Sequence, residues 1–487
     1  MIDKDVIVGC NRNYDQKALL AQLFAVITQS LLLVNLGMEI MMPTLVLGEL
    51  YKNSNIGFSL TDTEASWYGS ILFVCQPPGS FIAGFLQEKI GRKRCMILAI
   101  VPSFIGWILL YFCYSSTMLF IATVSMGLGI GFCEAPVFSY IGEVTEPRLR
   151  GQMSSLASAG VMFGAIINSS LGFFFGSRIT ALISLIIPIS CVCLICMIPE
   201  SPIWFLTKGR TEDARKSLCW LRGWVYPSEI EEEFNEIVRY VELSGNKNEN
   251  KIQNDVKMTS KIAMFKNPMV YRPLRMLLLF FMFSQLLSII PVRPYIMNLL
   301  TEVGLGKNQT LIVMFLSISQ IIPCIMTTML VKIVGKRFLA LFALSANTMI
   351  LLAFGVYLIL IKAGIFTSIP WIFFLLIFAI YFFAYTLIAV PWMVISEIYP
   401  NNVRSVATGI SSAFSYILMF LWAKSYLSIE EFLSLEYTMI LFGSIGIIGI
   451  FYLYFNLPET ENKTLMEIED YFISKKKNHS INDDIKM

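Results

Sequence analysis

Residues 143–150 read EVTEPRLR and residues 397–404 read EIYPNNVR, so a Glu is followed seven places later by an Arg at two points roughly half the chain apart. The same spacing recurs elsewhere. GRKR at 91–94 is echoed by GKR at 335–337, and PES at 199–201 by PET at 458–460. Three charged motifs in one order at nearly one period imply two homologous halves, each with the same set of short charged loops.

What lies between the loops fixes the solvent. The chain is 56% hydrophobic and only 15% charged over 487 residues, where a soluble domain carries about 25% charge. Apolar runs long enough to cross a bilayer fall near 18–42, 65–87, 95–114, 118–140, 151–175 and 179–198. They resume near 273–298, 310–331, 337–361, 369–394, 405–427 and 436–457. The reading is an all-α membrane protein of twelve transmembrane helices, called spans 1 to 12. They form two pseudo-symmetric six-helix bundles around a central cavity. Its parts are a tail over 1–17, a first bundle over 18–198, a linker with short helices over 199–272, a second bundle over 273–457 and a tail over 458–487. The polar start (MIDKDVIVGCNRNYDQK) lacks the apolar core of a signal peptide, so the first apolar run is expected to be span 1.

Lys and Arg crowd one set of loops, at Lys89, Arg92, Lys93, Arg94, Arg148, Arg150, Lys332, Lys336, Arg337 and Arg404. Basic loops stay on the cytoplasmic side. Both termini are therefore expected there, in an integral membrane protein of the plasma membrane, with the lipid bilayer as its surroundings and a monomer as the working unit. On the opposite side Asn308-Gln309-Thr310 is a glycosylation sequon.

Several function classes fall away. A net charge of +3 is too small and dispersed for nucleic acid. The only histidine is His479, in the charged tail, and no nucleophile–base or metal constellation occurs within the spans, so neither an enzyme nor a metal or other cofactor is expected. Cys191, Cys193 and Cys196 have a C-x-C-x-x-C spacing but lie in an unbroken apolar run, where thiols act as packing residues.

GFLQEKIGRK (84–93) resembles the loop between helices 2 and 3 of the major facilitator superfamily. PESP (199–202), PETENKT (458–464) and the two Glu…Arg pairs resemble signatures of its sugar porter family. SWYGSI…QPPGS (66–80), TEPRLRG (145–151) and RPYI (293–296) look like the insect trehalose-transporter-like branch. The resemblance implies a transporter that moves a sugar, of the trehalose or hexose class, by alternating access and facilitated diffusion. The alternatives are a proton-coupled sugar symporter and a non-transporting sugar sensor that retains the fold.

The resemblance also assigns roles. Glu88, Arg92, Glu143, Arg150, Glu397, Arg404, Glu200 and Glu459 would form a cytoplasmic gate whose ion pairs make and break between access states. Positive loops alone do not account for a Glu at a fixed distance from an Arg in both halves. Parts of the family pattern are missing: Thr123 stands for an Arg, Lys332 for an acid, Ile203 for the Arg after PESP. The sugar site would lie on spans 5, 7, 10 and 11, where Ser158, Ser284, Gln285, Ile290, Ala384 and Ser415 stand at polar ligand positions and only Gln285 is retained. Phe383, Trp392 and Tyr416 keep the aromatic character. Each buried hydrogen bond left unmade costs about 1–3 kcal/mol, so an ordinary hexose is expected to bind weakly. Glu39 in span 1 lies near the place of the proton-coupling acid of symporters; the alternative is a hydrated acid at the outer interface close to Glu49.

Overall fold

The computed structural model describes residues 16–51, 59–146, 149–252, 268–288, 290–395, 398–399, 404–461 and 471–472. Ten helical runs are long and apolar enough to cross a membrane, and two of them each hold two helices folded at one residue. That gives twelve spans among the described residues. Span 1 is Gln16–Leu50, span 2 is Asp62–Val74 continued by Gln76–Ile90, span 3 is Arg92–Tyr111 and span 4 is Ser116–Val144. Spans 5 and 6 share Arg150–Ser184 and its continuation Ile186–Met197, folded at Gly176, whose φ of 73° suits a residue without Cβ. The Ser177 amide and hydroxyl donate to the Glu49 carboxylate, fixing that fold.

Span 7 departs from the continuous helix expected over 273–298. It runs Pro268–Leu287, breaks, and resumes as Ile296–Glu302. Pro291 and Pro294 stand in the break; neither has an N–H to donate to a helix ladder. Span 8 is Gln309–Ser319 with Ile321–Val334, span 9 is Lys336–Lys362 and span 10 is Pro370–Ile395. Spans 11 and 12 share Arg404–Asn456, folded at Ser434. Between the halves lie the short helices Pro202–Thr207, Thr211–Leu221 and Glu231–Ile252. Of the three clustered cysteines only Cys191 is buried; Cys193 and Cys196 lie on the exposed face of span 6, so packing accounts for one of the three.

At the end away from the charged motifs the halves are in close contact. The Thr44 hydroxyl donates to the Arg293 carbonyl at 3.0 Å, and Lys424 Nζ lies 2.5 Å from Ser66 Oγ and 4.4 Å from the Trp67 ring centroid. The hydroxyls of Ser169 and Ser317 share a hydrogen bond at 2.8 Å. A Cβ on Gly48 would stand 2.1 Å from Met297 Sδ, so a larger residue there would have to push the Met297 side chain aside where spans 1 and 7 meet. At the motif-bearing end the described ion pairs include Arg92–Glu143 within the first half, Arg222–Glu233 within the linker and Lys336–Glu461 between the start of span 9 and the tail.

Candidate functional site

The motif-bearing end is organised by two glutamates in equivalent positions. Glu200 receives the backbone N–H groups of Arg92 and Lys93, each at 3.0 Å, at the start of span 3. Glu459 receives those of Lys336 and Arg337, each at 3.0 Å, at the start of span 9. The first turn of a helix leaves its N–H groups unpaired and carries a partial positive charge, so a carboxylate is the fitting partner. A glycine makes the approach possible in both halves. A Cβ on Gly91 would stand 2.2 Å from Glu200 Oε2, and one on Gly335 2.3 Å from Glu459 Oε2. Both glycines have φ and ψ that L side chains avoid (101° and 164°, 83° and 161°).

The next basic residue completes each joint. Lys93 Nζ donates to the carbonyls of Cys196 and Ile198, both at 2.8 Å, and Arg337 Nη2 donates to that of Tyr454 at 2.6 Å. These are the ends of spans 6 and 12, whose last carbonyls have no helical partner. Arg92 reaches across to Glu143 on span 4, with Nη2 2.8 Å and Nε 3.1 Å from one carboxylate oxygen. Glu397 and the side chains of Arg150 and Arg404 lie outside the described residues. Glu88 lies on the exposed face of span 2, and among the described residues it has no ion pair.

The centre is built from spans 4, 7, 10 and 11. Gln285 is fully buried and its Nε2 donates to Ser415 Oγ at 2.9 Å, while its Oε1 has no partner among the described residues. Trp392 packs edge-on to Phe281, with centroids 5.3 Å apart, and lies 5.9 Å from the Tyr416 ring. Phe73, Ile290, Tyr416, Met419 and Ala423 form one apolar cluster with Trp392 against it, joining span 2 to the second half. The Tyr416 hydroxyl donates to the Glu134 carboxylate of span 4, a hydrogen bond between halves at membrane depth.

Four of the sequence-predicted residues, Gln285, Ser415, Tyr416 and Trp392, are therefore gathered together. Others are not. Ser284 turns its hydroxyl back to the Phe281 carbonyl at 3.1 Å. Phe383 packs against Phe342 and Phe382, on the side of span 10 that faces span 9. Ser158 is exposed on span 5 and Asn308 is exposed just before span 8. Glu39 is sealed inside the first half, so the expectation of a hydrated interfacial acid is corrected. Its Oε1 accepts from Asn35 Nδ2 at 2.9 Å, and Asn35 Oδ1 accepts from Trp107 Nε1 at 3.0 Å. Sequence reasoning passed over Glu134, although an acid in the apolar run GIGFCEAPVF is the same signal that singled out Glu39.

Similarity to known proteins agrees with this architecture. A facilitated trehalose transporter, Tret1, from Polypedilum vanderplanki is 29% identical over 423 residues, covering 86% of this chain and 81% of that protein. The Bombyx mori protein of the same name is 28% identical, covering 85% and 80%. Among solved structures, the inward open conformation of the xylose transporter XylE from E. coli superposes with a TM-score of 0.71 at 18% identity, covering 92% of this chain and 98% of that one. The proton:xylose symporter XylE bound to 6-bromo-6-deoxy-D-glucose gives 0.66 at 16% identity, covering 93% and 99%. These neighbours share the major facilitator fold. The sequence model described as "Sugar (and other) transporter" matches residues 25–472, and the chain is a member of that family.

Proposed function

We infer that the chain carries a sugar of the trehalose or hexose class down its gradient across the plasma membrane, by alternating access of the two halves, 18–198 and 273–457. The single observation that supports this most is the buried polar group at the seam. Gln285, Ser415, Tyr416 and Glu134 offer hydroxyl, amide and carboxylate groups to a solute beside the aromatic face of Trp392, which is the chemistry that sugar hydroxyls and ring faces require. The similarity to facilitated trehalose transporters supports the cargo class. In this reading the motif-bearing loops and both termini face the cytoplasm, the Asn308 sequon faces outside, and a monomer in the bilayer is the working unit. Glu143, Glu200, Glu459, Arg92 and the Arg150, Glu397 and Arg404 positions make up the inner gate.

Counterflow of labelled trehalose and glucose in proteoliposomes tests the reading. Exchange in wild type that falls tenfold or so in Gln285→Ala, the effect of about one lost buried hydrogen bond, supports it. Binding without exchange points to a sensor. Exchange that accelerates with an imposed proton gradient, and loses that response in Glu39→Gln or Glu134→Gln, points to symport.

A further inference from the structure

Arg293 follows the break in span 7, where span 1 meets the second half. Its carbonyl accepts the Thr44 hydroxyl, so its place on the seam is fixed. Its guanidinium is poorly provided for. The one side-chain contact is Nη2 to the Met41 thioether at 3.9 Å, and sulfur is a weak acceptor. Among the described residues no carboxylate pairs with it. Nearby acids are engaged elsewhere: Glu39, two residues before Met41, accepts from Asn35, Glu49 of the same span accepts from Ser177, and Glu134 accepts from Tyr416.

A second group at the same place lacks a partner. The Tyr381 hydroxyl of span 10 sits on a residue only 2% exposed and has no hydrogen bond among the described residues, and its neighbour Ile380 lines one small cavity with Val292, the residue before Arg293. Pro294 and Tyr295 beside Arg293 are buried, whereas Arg293 stays partly exposed. An unpaired cation at this depth is costly and is retained where it meets an anion. The planar guanidinium fork suits a carboxylate or phosphate, and a phenol supplies one further donor.

We propose that Arg293 and Tyr381 form a subsite for an anionic oxygen on the solute, a carboxylate or a phosphate attached to a carbohydrate, so that the cargo extends to sugar acids or sugar phosphates. The proposal rests on the transport reading above.

The test is competition against labelled trehalose counterflow by glucose, glucuronate and glucose 6-phosphate, in wild type, Arg293→Gln, Arg293→Lys and Tyr381→Phe. At least one anion should compete about tenfold better than glucose in wild type, as charge-assisted hydrogen bonds imply. That preference should vanish in Arg293→Gln, persist in part in Arg293→Lys and weaken in Tyr381→Phe. Glucuronate competing alone assigns a carboxylate; glucose 6-phosphate competing alone assigns a phosphate. Trehalose exchange without competition by either anion overturns the subsite and leaves the transport reading standing. A preference that survives in Arg293→Gln, or that chloride abolishes at the same concentration, also overturns it. No exchange of any sugar sinks the transport reading instead. Thermal stabilisation of the purified protein by glucuronate or glucose 6-phosphate, present in wild type and lost in Arg293→Gln, then decides the subsite by itself.

Discussion

In the first half, Glu200 holds the start of span 3 and the guanidinium of Arg92 turns sideways to Glu143 on span 4. In the second half, Glu459 holds the start of span 9 in the same way, but the equivalent cation, Lys336, turns to Glu461 at 3.0 Å, two residues beyond the capping glutamate. The backbone joint is common to both halves, while among the described residues the cation reaches a span-4 glutamate in one half and a tail glutamate in the other; Glu397, the counterpart of Glu143, lies outside the described residues. The common part is set by geometry: a glycine, a helix start and a carboxylate fit in one way. The variable part is set by which charges lie within reach, and these can be exchanged without disturbing the joint. The joint is accordingly a structural element of each half, and the ion pairs are where the described parts of the two gates differ.

The largest expected effect tests the common part. Gly91→Ala and Gly335→Ala each place a methyl group on a carboxylate in a backbone region that costs of order 1–3 kcal/mol for an L residue. Both variants should melt earlier in detergent by similar amounts; a loss confined to one half breaks the equivalence. Next, Glu200→Ala and Glu459→Ala each release two helix-start N–H groups, worth about 1–3 kcal/mol where they cannot rehydrate. Parallel falls in thermal stability are expected, and an unchanged melting curve in either removes that glutamate from the joint.

The third test addresses the difference. Arg92→Ala leaves the Glu143 carboxylate without the guanidinium that contacts it, where the two side chains are 15% and 16% exposed. Lys336→Ala leaves Glu461 at the start of the tail, still donating its own amide to Glu459. Arg92→Ala should shift the balance of access states, read by cysteine accessibility in the cavity, by several-fold more than Lys336→Ala. Equal shifts would mean that the two ion pairs do the same work. The smallest effect belongs to Lys93→Met and Arg337→Met. These contacts to helix-end carbonyls are partly hydrated and worth about 0.3–1 kcal/mol. A transport defect larger than that of Arg92→Ala would reverse the order argued here.

The twelve spans were legible because a bilayer demands long apolar runs, and the Gly91, Glu200 and Glu459 motifs were legible because they repeat. Their mechanics were less so: the PES and PET glutamates read as partners for Arg and Lys side chains, yet they bind backbone N–H groups. The break in span 7 was hidden by an apolar composition that continues through Pro291 and Pro294. The central site was half legible. Gln285, Ser415, Tyr416 and Trp392 converge, but Phe383 turns toward span 9, because an aromatic stripe on a helix gives a residue type and not a direction. Glu134 was missed for want of a partner in the sequence: Tyr416 lies in the other half, and only the fold brings them together.

That one bond also sets a tempo. A hydrogen bond to a carboxylate contributes about 1.5–3 kcal/mol. If the halves separate at Tyr416 and Glu134 in each cycle, breaking it slows the swing by roughly ten- to a hundredfold. A solute whose hydroxyl takes the place of Tyr416 on Glu134 would remove that delay, so the loaded carrier would turn over faster than the empty one.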